Sequence, residues 1–176
     1  MVVGGCYLLL VETVIDSLNA KAAVVAIQQL FEEYGSTLPV IISAAVGSGG
    51  ATLISAQKIE AFWIAIRHIK PLAVGLNCCE GPDVLRPFVA ELAASVDCFT
   101  SCYPNAGLPN PLAPTGFDLG PADMASYMGE FAESGLLNIA GGCCGNTPSH
   151  IAAIAESVKA HPPRASRVEN GDLSGQ

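Results

Sequence analysis

The chain has 176 residues, seven cysteines and a formal net charge of −8, with 51% apolar and 14% charged residues. That apolar fraction supplies a core and excludes an intrinsically disordered chain, while the acidity disfavours nucleic acid or an anionic membrane as partner. The length suits one domain with a sizeable core but is short for a closed (β/α)8 barrel, which takes about 250 residues.

In chain order, Tyr7 to Val11 is an apolar run that reads as a strand ending at Glu12 and Thr13. No basic residue precedes it and Glu12 cuts it short, so it is neither a signal sequence nor a membrane span. Asp16 to Tyr34 carries apolar residues at helical spacing and is closed by Gly35. A second strand follows over Pro39 to Ala45, then a loop at Gly47 to Gly50 and a helix over Ser55 to Ile69. Leu72 to Cys78 is the third strand, Pro82 to Ser95 the third helix and Cys98 to Tyr103 the fourth strand. Pro104 to Gly120 has four prolines and three glycines and forms a long loop, of the kind that carries function. A fourth helix spans Pro121 to Ser134 and a fifth strand Leu136 to Ala140. The last helix spans Thr147 to Ala160, with Thr147 as N-cap and Pro148 at the first helical position. Five strands alternating with five helices imply consecutive βα units and a parallel sheet.

The last strand runs into Gly141-Gly142-Cys143-Cys144-Gly145. Adjacent cysteines point apart in a regular strand and converge only where the backbone leaves strand geometry, which the flanking glycines permit. The pair alone fits metal ligation, a strained vicinal disulfide, or small buried apolar side chains. A third thiol, Cys78, also closes an apolar strand, and in a parallel barrel the C-terminal strand ends meet on one face. Three thiolates from two strand ends suit a zinc ion with an open fourth position, a catalytic rather than structural arrangement. Cys79 competes for a place in that set. An odd number of cysteines and no leader indicate a reducing, cytoplasmic chain, and the lack of a Cys-x-x-Cys argues against a thiol redox protein.

Three blocks occur in a characteristic order: Gly75-Leu76-Asn77-Cys78, then Tyr103-Pro104-Asn105-Ala106-Gly107-Leu108-Pro109-Asn110, then Asn138 to Pro148 around the cysteine pair. Together they resemble the homocysteine S-methyltransferase domain, and most nearly the homocysteine-binding module of cobalamin-dependent methionine synthase. Glu12-Thr13, Asp16 to Ala23 and Phe131 to Leu136 agree with that subfamily, and the likeness runs from about residue 4 to about residue 160.

The resemblance implies a partial (β/α)8 TIM barrel: the five C-terminal βα units, with the first three strands missing. Residues 1–163 would be this part of the homocysteine-binding barrel, and 164–176 a polar tail opening an interdomain linker, most evident from Val168 to Gln176. It implies zinc (Zn2+) held by Cys78, Cys143 and Cys144, homocysteine taking the open position as a thiolate, and methyl transfer to give methionine. Cys79 then stands where relatives carry alanine, and Cys6, Cys98 and Cys102 are small buried residues. Glu12 is expected to hold the amino group of homocysteine, against the alternative of a carboxylate facing a helix dipole. Asn77, Asn105 and Gly142 are candidate substrate contacts, with turn or capping roles as alternatives for the asparagines. Backbone N–H groups near Gly145 to Ser149 could receive the substrate carboxylate. His68, His150 and His161 read as helix-end residues, not ligands.

The implied partners are homocysteine, methylcobalamin on another domain, the missing N-terminal barrel half and the cobalamin and folate domains. Other readings are a sulfonium or betaine methyl donor, or a non-catalytic zinc-binding half-barrel. Two features depart from the family: Ala44 to Gly50 lacks the usual Thr/Asp turn, and the Asp-Gly segment that relatives bring to homocysteine has no counterpart here.

Overall fold

The computed structural model describes residues 2–165. Five strands, β1 (Leu9–Val14), β2 (Val40–Ala44), β3 (Ala73–Asn77), β4 (Phe99–Tyr103) and β5 (Ile139–Ala140), form one parallel sheet in the order β1-β2-β3-β4-β5. Helices α1 (Ser17–Tyr34), α2 (Ile59–Ile66), α3 (Pro82–Ser95), α4 (Pro121–Glu133) and α5 (Pro148–Val158) supply the crossovers and the closing element. Because parallel crossovers are right-handed and the strand order never reverses, every helix is delivered to the same face of the sheet. Ile42, Ala44, Val74, Leu76 and Cys102 share one buried core with Val24, Phe62, Leu85, Leu92, Met124 and Phe131 of helices α1 to α4. The alternate residues Ser43, Gly75, Asn77, Ser101 and Tyr103 point to the opposite, helix-free face. Small and polar residues collect there, and strand C-terminal ends open onto it.

On that face β3 and β4 leave no room for a side chain at Gly75. A Cβ at this position would lie 1.9 Å from Ser101 Oγ and 2.3 Å from the Ser101 carbonyl oxygen. Gly75→Ala should therefore destabilise the protein by about 3 kcal/mol or more, read as a lower denaturant midpoint at unchanged slope. Removing the Ser101 hydroxyl as well should not restore stability, because the backbone oxygen stays in place. Near-wild-type stability of Gly75→Ala would mean that β3 and β4 part freely here.

Local signals place most elements where the residues imply. Asp16 caps α1 through Leu18 N–H (3.3 Å), and Gly35 ends it in the left-handed conformation at φ 64. Three boundaries differ. The first strand runs from Leu9 to Val14 rather than from Tyr7 to Val11, because a bulge carries pairing past Glu12 and Thr13. The second helix starts at Ile59 rather than Ser55, and its last turn tightens into a 3-10 segment, Arg67–Ile69. Thr52, Ser55 and Gln57 bond one another there, and Ala51 bridges Lys58, so the backbone is held in turns where a helix was expected. β5 keeps only Ile139 and Ala140: at Asn138 the backbone N–H still donates to the Thr100 carbonyl (2.9 Å), but the Thr100 N–H is diverted to the Asn138 side chain. Asn138 Oδ1 accepts from Thr100 N–H (2.9 Å), and its Nδ2 donates to the Arg164 carbonyl (2.7 Å).

Arg164, assigned from the sequence to the tail, is buried, and its guanidinium donates to the carbonyls of Ala93, Val96 and Cys98. Residues Val168 to Gln176 lie outside the described residues. Among the described residues no helix is long and apolar enough to cross a membrane.

Candidate metal centre

At the C-terminal edge of the sheet, β3 gives way to a turn in which Cys78 and Cys79 are both left-handed, each at φ 63. Non-glycine residues seldom adopt this conformation. Here it is held by Cys78 N–H donating to the Tyr103 carbonyl (3.3 Å) and Glu80 N–H donating to the Cys78 carbonyl (2.7 Å). The turn swings Cys78 Sγ away from the strand axis and toward the end of β5.

The cysteine pair is held just as locally. Cys143 N–H donates to the Pro104 carbonyl (2.8 Å), and the Cys144 carbonyl accepts from Ala106 N–H (2.9 Å). Cys144 N–H donates to Asn105 Oδ1 (3.1 Å), while Asn105 N–H reaches the Glu80 carbonyl (3.1 Å). The start of the long loop, residues 104–106, is thus a splint between the two cysteine segments. Asn146 closes the turn from below: its Nδ2 donates to the Pro104 and Cys143 carbonyls at 3.1 and 3.3 Å. Gly142 lies directly over that amide, where a Cβ would come within 2.2 Å of Asn146 Cγ. Gly145, at φ 77, lies against Phe117, leaving no room for a side chain.

The result brings Cys78, Cys143 and Cys144 together, their sulfurs all within 4.8 Å of one another. Cys78 Sγ is 3.7 Å and Cys143 Sγ 3.9 Å from Cys144 Sγ. A tetrahedral zinc with Zn–S bonds of about 2.3 Å has S–S edges of about 3.8 Å, so the three thiols fit the ion. None of the seven cysteines is in a disulfide. Burial first, then the neighbouring Cys78, pushes the Cys143 thiol up to about 12, and burial also raises Cys144. No cation is among the groups acting on Cys143 and Cys144, and a metal ion bound there would supply the missing positive charge. No histidine joins the cluster among the described residues.

Cys79 touches the site only from the side: burial, then Cys78, raises its thiol, and it is outside the three-sulfur group. Cys98 is raised to about 11 mainly by burial, and Cys102 is fully buried and raised for the same reason. Cys6 is half-buried, far along the chain from the cluster. His150 is buried and caps α5: its Nδ1 accepts from Thr147 N–H (3.1 Å), which leaves Nε2–H to donate to the Leu119 carbonyl (3.0 Å). His68 lies in the 3-10 turn after α2, and His161 just beyond α5.

Glu12 is exposed on β1 at the same end of the sheet, close enough to Tyr103 for its charge to contribute to raising that phenol, an effect that burial dominates. Asn77 is fully buried, and Asn105 nearly so with its side-chain oxygen spent on Cys144. The sequence reading did not single out Thr13, Tyr103 or Asn146. Thr13 is a β-branched residue at φ 56, and Tyr103 Oη and Asn146 Oδ1 are buried without a hydrogen-bond partner. All three stand in the stretches that carry the resemblance, Glu12-Thr13, Tyr103 to Asn110 and Asn138 to Pro148, but no role is assigned to them there.

A model of the homocysteine S-methyltransferase family matches residues 1–158. The chain belongs to the homocysteine S-methyltransferase family. Among solved structures, this family member is similar to homocysteine methyltransferase MmuM from Escherichia coli. The metallated form superposes with a TM-score of 0.63 at 20% identity, covering 88% of this chain and 46% of that one. The apo form gives 0.63 at 19% identity, covering 89% and 52%. The chain therefore spans about half the length of the structures it matches, and at this identity the likeness speaks for the fold.

Proposed function

We propose that this chain is the C-terminal five βα units of a zinc-dependent homocysteine S-methyltransferase barrel, most similar to the homocysteine-binding module of cobalamin-dependent methionine synthase. The observation that carries the metal assignment is the cluster of Cys78, Cys143 and Cys144 at tetrahedral S–S spacing. The uninterrupted β1-to-β5 order with all helices on one face supports the barrel, since a doubly wound sheet reverses its order. Cys78, Cys143 and Cys144 would hold the zinc, leaving one position open. Bound there, zinc supplies Lewis acidity that keeps a coordinated thiol deprotonated at neutral pH. The chain's own residues do the rest: the 104–106 splint holds the two cysteine segments together. Methylcobalamin on another domain is the donor that the subfamily likeness supports, with a reducing, cytoplasmic setting consistent with seven free thiols.

Glu12 is the residue we assign to the substrate ammonium, because it is an exposed carboxylate near the C-terminal end of β1, close to Tyr103. Glu12→Gln should leave zinc content unchanged while weakening homocysteine roughly 10- to 150-fold, the value of a charge-assisted hydrogen bond of about 1.5 to 3 kcal/mol. Calorimetric titration of the zinc-loaded protein measures it, and an unaltered affinity would return Glu12 to an ordinary surface carboxylate.

A further inference from the structure

β1 and β2 fall out of step between Val11, paired with Ile42, and Val14, paired with Ala44. Three steps along one strand match two along the other, so Glu12 and Thr13 form a bulge opposite Ser43. A bulge leaves a ladder N–H without its strand partner, and here that group is Thr13 N–H. It donates to Asn77 Oδ1 at 3.2 Å, and Ser43 Oγ donates to the same oxygen at 2.6 Å. Asn77 Nδ2 in turn donates to Thr13 Oγ1 at 2.8 Å. Thr13 thereby sits at φ 56, a conformation that a β-branched residue does not hold unless its surroundings impose it.

Asn77 is 0% exposed, and both lone pairs of its oxygen are engaged. It has no surface to offer a substrate. We infer that Asn77 is a positioning residue: its side chain builds the β1 bulge by clamping Thr13 in the left-handed conformation, and so aims the adjacent Glu12 into the site while tying it to the Cys78 turn. The same residue is followed directly by Cys78, whose own left-handed backbone starts the metal-binding turn. The two halves of the site, one for the sulfur and one for the ammonium, are thus joined through one buried amide. What the clamp does for substrate rests on the homocysteine reading above; that it sets Thr13 does not.

The test uses the full-length protein with Asn77→Ala, Thr13→Gly and the double variant. Crystal structures of Asn77→Ala should show Thr13 out of the left-handed region and Glu12 displaced. Homocysteine titrated into the zinc-loaded protein should bind about tenfold more weakly in Asn77→Ala, the worth of one such hydrogen bond. Glycine holds positive φ without help, so adding Thr13→Gly should recover most of that affinity, which a merely destabilising Asn77 substitution would not allow. Asn77→Leu, close to Asn77 in shape but with neither acceptor nor donor, serves if Asn77→Ala does not fold; its loss should be rescued in the same way. Thr13 staying near φ 56 without Asn77, or no recovery from Thr13→Gly, overturns the inference. Absence of homocysteine binding by the wild type would instead sink the functional reading, while the Thr13 conformation in Asn77→Ala or Asn77→Leu still decides the clamp.

Discussion

Cys143→Ala and Cys144→Ala should each reduce bound zinc from about one ion per chain to near none, read by metal analysis after dialysis against a weak chelator. Structural zinc sites contribute about 10 to 16 kcal/mol of apparent binding free energy, and deletion of one of three protein ligands leaves two thiolates that cannot close the coordination shell. The effect should be of the same size for both, because each sulfur stands at one corner of the triangle and neither has a spare neighbour: Cys79 is outside the group. Cys79→Ala is the matched control and should keep its zinc. Full occupancy in Cys143→Ala or Cys144→Ala would remove that residue from the ligand set, and with it the tetrahedral interpretation of the 3.7 and 3.9 Å spacings.

Residues 1–176 expressed by themselves should aggregate or self-associate and show no methyl transfer. Co-expression with a fragment supplying three further βα units should restore both solubility and zinc uptake. β1 and β5 are open edges, and an apolar groove beside β1 is lined by Val3, Leu8, Leu10, Val11, Ala26 and Tyr34. Tyr7 is 90% exposed and Val3 82% exposed at the same place. Covering a large apolar side chain is worth about 1.5 to 3 kcal/mol, so leaving several uncovered removes a large share of a total stability of about 5 to 15 kcal/mol. Unpaired strand edges add a template for association. Light scattering and a thermal melt decide the matter: a monodisperse monomer with a cooperative transition and turnover of its own would refute the incomplete-barrel reading.

The order of elements and the gathering of Cys78, Cys143 and Cys144 could be read from residues alone because each is announced locally. An apolar run closing at a cysteine gives a strand end, and parallel βα units bring such ends to one side. The bulge at Glu12 and Thr13 has no such announcement. It exists because Asn77, 64 positions from Thr13, completes its hydrogen bonding, and no window of sequence around Thr13 contains that partner. The start of α2 was misplaced for the opposite reason: Ser55 to Lys58 has no helix-breaking residue, but short polar side chains there bond one another and hold turns. Asn77 and Asn105 were drawn toward the substrate by their position beside the cysteines, whereas their side chains are occupied with Thr13, Ser43 and Cys144.

The paired left-handed residues at 78 and 79 also set which changes this turn tolerates. Glycine is the residue such a backbone prefers, and at a compatible site its introduction relieves strain of order 1 kcal/mol. At position 79 that relief is open, since the sulfur there is outside the metal triangle. At position 78 the same replacement would ease the chain and delete one of the three sulfurs of the proposed metal site. Stability and metal binding therefore pull against each other at one residue and not at its neighbour, and a search for hardier variants of this protein would drift toward glycine at 79 while being held to cysteine at 78 only by the demand for the ion.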